Sequence, residues 1–186
     1  MLEFDTPSQA AHWLQSRVSG TLHCDSRKLQ PGDGFIAWPG AASDARQYVA
    51  SALAQGARAC LVERAGVEGF AFSDERIAAY AGLKAASGPI AAAYFGHPST
   101  QLDVLAVTGT NGKTSTVWWL AQALSNLKQS TPIACAMVGT LGIGRVPQVV
   151  STGLTTPDPV LLQQTFRRLV AEGFKACAIE ASSIGI

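Results

Sequence analysis

The sequence has little of what marks membrane, secreted or nucleic-acid-binding proteins. It contains no apolar run of the roughly 18 residues that a membrane-spanning helix needs. Its start, Met-Leu-Glu-Phe-Asp, has neither the basic region nor the apolar region of a secretory signal. Lysine and arginine total 14 against 13 acidic residues, and a net charge of +1 gives no electrostatic case for binding nucleic acid. We therefore expect neither membrane insertion nor a nucleic-acid partner.

Cysteines are few and scattered. The four are Cys24, Cys60, Cys135 and Cys177. They form no Cys-x-x-Cys pair and have no cluster of histidines beside them, which argues against a zinc site and against a disulfide scaffold. Thiols buried in a reducing cytoplasm are the simpler interpretation, so we expect a soluble cytoplasmic protein. Hydrophobic residues make up 47% of the 186, which is ample for one large domain or two small ones.

We expect two domains, at 1–97 and 98–186, with the boundary in the polar, turn-forming segment 96–100. In the first domain, apolar periodicity between glycine and proline signals predicts short helices and strands. The predicted elements are a helix at 7–18 capped by Thr6, a strand at 34–38, a helix at 44–56, a strand at 58–62, and an alanine-rich helix at 77–95 that breaks near Gly88-Pro89. These elements predict a small α/β domain.

The second domain alternates strands and helices. The predicted elements are a buried strand at 102–107, a helix at 112–127, a strand at 133–137, a helix at 157–172 and a strand at 176–179. Strands separated by helices of this length predict right-handed crossovers in a parallel sheet. Three strands make a thin open sheet, and the sequence stops just beyond the last of them. We therefore expect an incomplete nucleotide-binding domain, in an N-terminal fragment of a longer protein.

A phosphate-binding loop is predicted at 108–115, Thr-Gly-Thr-Asn-Gly-Lys-Thr-Ser, between an apolar strand and a helix. Successive backbone N–H groups at such a turn bind anions, together with the positive end of the helix dipole. Lys113 would reach the β- and γ-phosphates of ATP, and the Thr114 hydroxyl would ligate magnesium. The residues expected to bind ATP are Gly109, Thr110, Asn111, Gly112, Lys113, Thr114 and Ser115.

The loop departs from the general pattern G-x-x-x-x-G-K-[ST], because Val107 stands where that pattern has its first glycine. The alternative is a glycine-rich turn with an incidental lysine. That alternative leaves Gly-Lys-Thr at the start of a helix, directly after an apolar strand, without an explanation. The position of these three residues therefore favours the phosphate loop.

The segment 108–114, Thr-Gly-Thr-Asn-Gly-Lys-Thr, resembles the ATP loop of the Mur ligases and of their folylpolyglutamate synthetase relatives. Further segments resemble the Mur ligases that add the third and fourth residues of a peptide: Asp25-Ser26-Arg27, then Pro31-Gly32-Asp33-Gly34-Phe35-Ile36-Ala37, and Gly40. Two more resemble the ligase that adds the third: Thr155-Thr156-Pro157-Asp158 and Glu180-Ala181-Ser182-Ser183. The motifs follow one another in the family's order over nearly the whole chain.

The resemblance implies an ATP-dependent ligase of peptidoglycan synthesis. It would add meso-diaminopimelate or L-lysine to UDP-N-acetylmuramoyl-L-alanyl-D-glutamate through an acyl phosphate, with ATP and magnesium as cofactors. The implied fold is a small α/β uridine-binding domain followed by the start of a phosphate-loop ATP-binding domain with a parallel sheet. The UDP-muramoyl dipeptide and an amino acid would be the partners, and a monomer is favoured.

Besides the ATP loop, the resemblance implies roles for residues in both domains. The uridine pocket would be lined by Cys24, Ser26, Ala41, Ala42 and Ser43. The muramoyl-peptide substrate would be contacted by Thr155, Thr156 and Ser182. Glu180 would bind the magnesium that bridges the phosphates, and the expected catalytic residues are Lys113 and Glu180. Thr156 is also suited to be an N-cap ahead of Pro157, which is compatible with a substrate role.

Two departures from the family affect these expectations. Ile184 stands where the family commonly has histidine, and Ala41 and Ala42 stand where polar residues and glycine are usual. Backbone amides at 41 and 42 would still bind uridine, because contacts made by the backbone do not depend on the side chain. Three alternatives stay open: the ligase that adds the fourth residue, a folylpolyglutamate synthetase, and a nucleotide-binding chain without catalysis. The 186 residues alone are expected to be inactive.

Overall fold

The computed structural model describes residues 1–40, 43–128 and 131–182. The chain forms two compact units, one of Met1–Gly96 with Pro159–Leu161 and the other of His97–Asp158 with Leu162–Ile186. Each unit is built on one five-stranded sheet with helices, so the predicted α/β class is confirmed. In the part of the chain that the structure describes, no helix is long and apolar enough to cross a membrane.

The sheet of the first unit is parallel throughout, with the strand order β1-β5-β4-β3-β2. The strands are β1 (Leu2–Phe4), β2 (Leu22–His23), β3 (Gly34–Ala37), β4 (Ala59–Glu63) and β5 (Ile77–Tyr80), and the helices are α1 (Pro7–Gln15), α2 (Val49–Ala54) and α3 (Leu83–Tyr94). Phe35 belongs to the apolar cluster that includes α2 residues, and Ile36 to the cluster that includes α1 and α3 residues. Successive strand residues point to opposite faces, so the sheet is covered on both.

Helix α1 begins at the predicted residue and ends three residues early. Thr6 Oγ1 accepts from Gln9 N at 3.3 Å, and Thr6 N donates to Gln9 Oε1 at 3.2 Å, which forms a capping box. The predicted N-cap is therefore confirmed. The helix predicted at 44–56 is instead a short 3-10 helix, Ala45–Tyr48, followed by α2.

The prediction of an alanine-rich helix at 77–95 is wrong for its first residues. Residues Ile77–Tyr80 form β5, which pairs with β1 and β4 and is buried along its whole length. Pairing on both edges outweighs the helix propensity of alanine. Helix α3 starts only at Leu83, where the Glu63 carboxylate accepts from Leu83 N at 2.6 Å. Pro89 lies inside α3 without ending it, because the helix buries Leu83, Ile90 and Ala91 against the sheet.

The sheet of the second unit has the order β6-β10-β7-β8-β9. Its elements are β6 (Asp103–Val107), α4 (Lys113–Ser125), β7 (Cys135–Gly139), β8 (Gly142–Arg145), β9 (Gln148–Val150), α5 (Pro159–Ala171) and β10 (Ala176–Glu180). The three predicted strands are parallel, as expected, but the sheet is not limited to them. β8 and β9 extend it by antiparallel pairing.

Glycine explains why β8 was missed. A Cβ at Gly142 would lie 2.5 Å from Val150 O, and one at Gly144 would lie 2.9 Å from Gln148 O. The two glycines let the backbones of β8 and β9 approach closely, yet glycine in a sequence ordinarily signals a turn.

The prediction that strand 102–107 is buried is also wrong for the described residues. Among those residues, β6 pairs with one strand, β10, and lies at the edge of the sheet. Val104 is 38% exposed as a result. An apolar run predicts the strand but not its place in the sheet.

None of the four cysteines forms a disulfide. Cys60, Cys135 and Cys177 are buried and Cys24 is half-buried. Burial raises the pKa of the Cys60 thiol to about 12, and it raises the pKa of Cys135 and Cys177 as well. These three thiols therefore carry little thiolate at neutral pH and act as apolar side chains.

Candidate functional site

Three segments of the second unit meet at the carboxyl ends of its parallel strands. β10 lies between β6 and β7, and its register places Glu180 beside Val107 and Ile179 beside Val138. The predicted phosphate loop follows β6, Thr140 follows β7, and Glu180 ends β10. Open α/β sheets bind ligands at this edge. The strand order thus brings the loop and the predicted magnesium ligand together.

The two glycines of the loop adopt backbone conformations that other residues rarely adopt. The φ angle is +136° at Gly109 and +78° at Gly112. Space is not the constraint, since a Cβ at Gly109 would lie 3.8 Å from Asn111 O and one at Gly112 would meet nothing within 4 Å. Backbone conformation alone explains glycine at both positions.

Backbone amides face the loop from the start of α4. The helix begins at Lys113, and Thr116 N donates to Gly112 O at 2.9 Å. The N–H groups of Lys113, Thr114 and Ser115 precede that bond and have no acceptor within the helix. Such amides, with the helix dipole behind them, are the groups that bind phosphate at helix N-termini.

The Lys113 side chain folds back over this loop. Its Nζ donates to Gly109 O at 2.7 Å, and the residue is half-buried. A single carbonyl satisfies only part of an ammonium that has three donors. Phosphate oxygens entering the loop would compete for the remaining donors, so the lysine is placed to meet an anion.

The Thr114 hydroxyl and the Glu180 carboxylate form the centre of the site. Thr114 Oγ1 donates to Glu180 Oε2 at 2.9 Å, and Glu180 is only 1% exposed. Among the described residues, no three His, Cys, Asp or Glu side chains are grouped as a metal site. One carboxylate and one hydroxyl suit magnesium, which keeps several waters and takes its other oxygens from a bound phosphate. The residues therefore fit magnesium held jointly with a nucleotide.

Sequence reasoning missed two residues beside this carboxylate, Thr140, which bonds it, and Gly139, which leaves space for it. Thr140 N donates to Glu180 Oε1 at 2.8 Å, and Thr140 Oγ1 lies 3.3 Å from Glu180 Oε2. A Cβ at Gly139 would clash with Glu180 Oε1, with only 2.7 Å to its Cδ. The signal available was a Gly-Thr pair directly after an apolar strand, at the edge where α/β sheets bind ligands.

The three predicted substrate residues are linked by hydrogen bonds to Thr140 or to the backbone at the end of β10. Thr155 Oγ1 is 3.1 Å from Thr140 Oγ1. Thr156 Oγ1 donates to Glu180 O at 2.8 Å and accepts from Ser182 N at 3.1 Å. The predicted N-cap role of Thr156 is wrong, because α5 begins at Pro159 and the hydroxyl is engaged with the end of β10. Ile184 lies outside the described residues.

In the first unit, the predicted uridine residues follow two adjacent strands. Cys24 and Ser26 come after β2, and Ser43 comes after β3, which is parallel to β2. The carboxyl ends of parallel neighbours lie at the same sheet edge. Gly40 N donates to Ser43 O at 2.9 Å. The predicted contacts at Ala41 and Ala42 fall outside the described residues.

Charged pairs flank these uridine candidates. Arg27 donates to both carboxylate oxygens of Asp25 at 2.8 Å, and Arg46 makes a similar pair with Asp44. The Asp25 side chain also accepts from Arg27 N, which caps the 3-10 helix Ser26–Lys28. The Asp25-Ser26-Arg27 motif is thus a self-contained turn that fixes the backbone at Ser26.

We expect the Asp25 carboxyl to titrate unusually low. Hydrogen bonds from the Arg27 guanidinium lower the pKa of Asp25 from 3.8 to about 2. A depressed pKa contributes stability above the unfolded value, and that contribution is lost as the pH falls from 3.8 through 2. NMR titration of the side-chain carboxyl carbon measures this pKa, and in Arg27→Ala it should return toward 3.8. An unchanged titration in Arg27→Ala would contradict the assigned cause.

Comparison with known proteins gives two family matches. The model for the "Mur ligase family, catalytic domain" matches residues 20–90, and that for the "Mur ligase middle domain" matches residues 107–186. The chain is 60% identical over 184 residues to a UDP-N-acetylmuramoyl-L-alanyl-D-glutamate–2,6-diaminopimelate ligase of Acidovorax sp. (strain JS42). It is 44% identical over 180 residues to the ligase of the same name from Janthinobacterium sp. (strain Marseille).

These matches cover 97% and 94% of the chain, but only 37% and 35% of the two relatives. The chain therefore spans little more than a third of their length. A solved structure of a ligase with the same name aligns at TM-score 0.66 and 27% identity, over 89% of this chain and 32% of that one. A MurF ligase from Thermotoga maritima in complex with ADP aligns at TM-score 0.57 and 22% identity, over 91% and 33%.

Proposed function

The chain belongs to the Mur ligase family, and from that premise we propose that it supplies the nucleotide-binding parts of a ligase of peptidoglycan synthesis. The proposed reaction joins a third amino acid to UDP-N-acetylmuramoyl-L-alanyl-D-glutamate and converts ATP to ADP and phosphate. The first unit would bind the UDP-muramoyl substrate. The second would bind ATP with magnesium.

One observation carries the proposal. The Thr114 hydroxyl lies 2.9 Å from the buried carboxylate of Glu180, at the start of a helix that also presents Lys113. Ammonium, helix amides, hydroxyl and carboxylate are the groups that bind the triphosphate and magnesium in phosphate-loop enzymes. Here residues 66 positions apart, Thr114 and Glu180, are brought together by the fold alone.

In the first proposed step, a carboxylate oxygen of the dipeptide attacks the γ-phosphorus of ATP. The bond from that phosphorus to its bridging oxygen breaks, ADP leaves, and an acyl phosphate remains. Negative charge moves onto the bridging oxygen as the bond breaks. The Lys113 ammonium and the loop amides would stabilise that charge.

In the second step, the amine of the incoming amino acid attacks the acyl carbon. The bond from that carbon to the phosphate oxygen breaks, phosphate leaves, and the amine gives up a proton. Magnesium, when bound, supplies charge neutralisation on the phosphate oxygens. Thr114 and Glu180 would hold it, while Thr155, Thr156 and Ser182 would orient the muramoyl peptide.

The names of the compared relatives bear on the amino acid. Those from Acidovorax and Janthinobacterium are both named as 2,6-diaminopimelate ligases, which favours meso-diaminopimelate over L-lysine for this chain. We place the reaction in the cytoplasm, because ATP is the phosphoryl donor and none of the four cysteines forms a disulfide.

The proposal is tested by exchange into a relative. The 184 matched residues of the Acidovorax ligase are replaced by those of this chain, and phosphate release is measured. We expect release only when UDP-muramoyl dipeptide, diaminopimelate and ATP are all present, at a rate close to that of the parent. Release that does not depend on the muramoyl substrate would contradict the proposal.

Two alternatives give different outcomes. The structural likeness to MurF, at 22% identity, reflects the shared fold. Addition to a UDP-muramoyl tripeptide, the MurF-type activity, is tested by assaying the chimera with that tripeptide as acceptor. A nucleotide-binding chain without catalysis is tested on the 186 residues alone. Binding of ATP and UDP-muramoyl dipeptide without turnover, beside an active chimera, would show that catalysis needs residues beyond these.

A further inference from the structure

Thr140 is the one described residue that contacts both oxygens of the Glu180 carboxylate. Its backbone N–H donates to Oε1 at 2.8 Å, and its hydroxyl lies 3.3 Å from Oε2. Among the described residues, the other partner is Thr114, whose Oγ1 engages Oε2. The terminal torsion of a glutamate is broad and is not fixed by its own rotamer. The two contacts from Thr140, one from its backbone and one from its side chain, therefore set the plane of this carboxylate.

The end of β7 is shaped to receive that carboxylate. Gly139 closes the strand and is buried, and the absence of its Cβ leaves the space that the Glu180 side chain occupies. Thr140 follows at once, and it is exposed. Its amide is bound to the carboxylate.

The same hydroxyl reaches the predicted substrate segment. Thr140 Oγ1 lies 3.1 Å from Thr155 Oγ1. A hydroxyl has one proton and two lone pairs. Thr140 can thus donate to Glu180 and accept from Thr155 at the same time, which links the carboxylate to the segment expected to bind the muramoyl peptide.

We propose that Thr140 is a positioning residue, which orients the Glu180 carboxylate for magnesium-dependent nucleotide binding and couples it to Thr155. The inference rests on the proposed function, since it requires that Thr114 and Glu180 hold magnesium. Hydrogen-bonded partners of a metal-binding carboxylate fix its orientation, and their loss typically lowers metal affinity by about 10- to 100-fold.

The test measures binding of a fluorescent ADP analogue to the 186-residue chain at stepped magnesium concentrations. In Thr140→Val, which removes the hydroxyl and keeps the shape, we expect the half-saturating magnesium concentration to rise roughly tenfold. Thr140→Ser restores the hydroxyl and should bring it back to within about threefold of the wild type. Binding without magnesium and the thermal unfolding midpoint should stay unchanged.

Thr100→Val is the matched control. Thr100 donates to His97 O at 2.8 Å and precedes β6, at the end of the strand remote from the loop. If Thr140→Val keeps the wild-type magnesium dependence, the inference is overturned while the proposed function stands. If the wild-type chain binds the nucleotide without regard to magnesium, both are overturned. Failure of Thr140→Ser to restore magnesium dependence would also contradict a role for the hydroxyl.

Discussion

Lys113→Ala is expected to weaken nucleotide binding while leaving the fold intact. Among the described residues, the ammonium has one hydrogen bond, to Gly109 O in its own loop, so its loss should change the free energy of unfolding by less than about 0.5 kcal/mol. A charge-assisted contact to phosphate contributes about 1.5–3 kcal/mol, which corresponds to an affinity for ADP lower by roughly 10- to 100-fold. In the Acidovorax chimera, we expect ligation to fall further, by about 10³-fold, because charge builds up on the bridging oxygen only as the reaction proceeds.

Lys175→Ala is the control for this prediction. Lys175 lies in the same unit, is exposed, and uses its backbone rather than its side chain to pair with Ala134 O. Nucleotide titration, thermal unfolding and phosphate release are measured on both variants. Ligation that persists in Lys113→Ala at saturating ATP would show that the lysine does not act on the phosphates.

The phosphate loop was predictable because its determinants are local. A strand, two glycines with positive φ, a lysine and a helix start follow one another within residues 103–114, and each leaves a sequence signal. The capping box at Thr6 is local in the same way. Signals of this kind need no knowledge of which strands become neighbours.

The surroundings of Glu180 were not predictable for the opposite reason. Thr140 meets the carboxylate across 40 positions, and only because β10 lies between β6 and β7. The sequence places Glu180 at a strand end, but not beside Thr140. The same limit explains why a helix was predicted where β5 lies. The alanines of Ile77–Tyr80 favour a helix, and pairing with two neighbouring strands outweighs that preference.

Gly139→Ala is expected to affect both stability and metal dependence, because one methyl group would occupy the place of the Glu180 side chain. An added Cβ would lie 2.7 Å from Glu180 Cδ and 2.8 Å from its Cγ, distances that require the side chain or β7 to move. Overpacking of this kind costs about 1–3 kcal/mol. The displaced carboxylate would also lose its contact with Thr140 N, so the magnesium requirement for ADP binding should rise at least tenfold.

Gly69→Ala is the control, since a Cβ there meets nothing within 4 Å. Urea unfolding of Gly139→Ala, Glu180→Ala and the double variant then isolates the cause. If the methyl acts through the carboxylate, Gly139→Ala should cost less in the Glu180→Ala background than in the wild type, because the colliding atoms are gone. Equal costs in both backgrounds would place the damage in β7 itself. In that case the close approach of Gly139 to Glu180 would be a consequence of strand packing, and the glycine would have no part in seating the carboxylate.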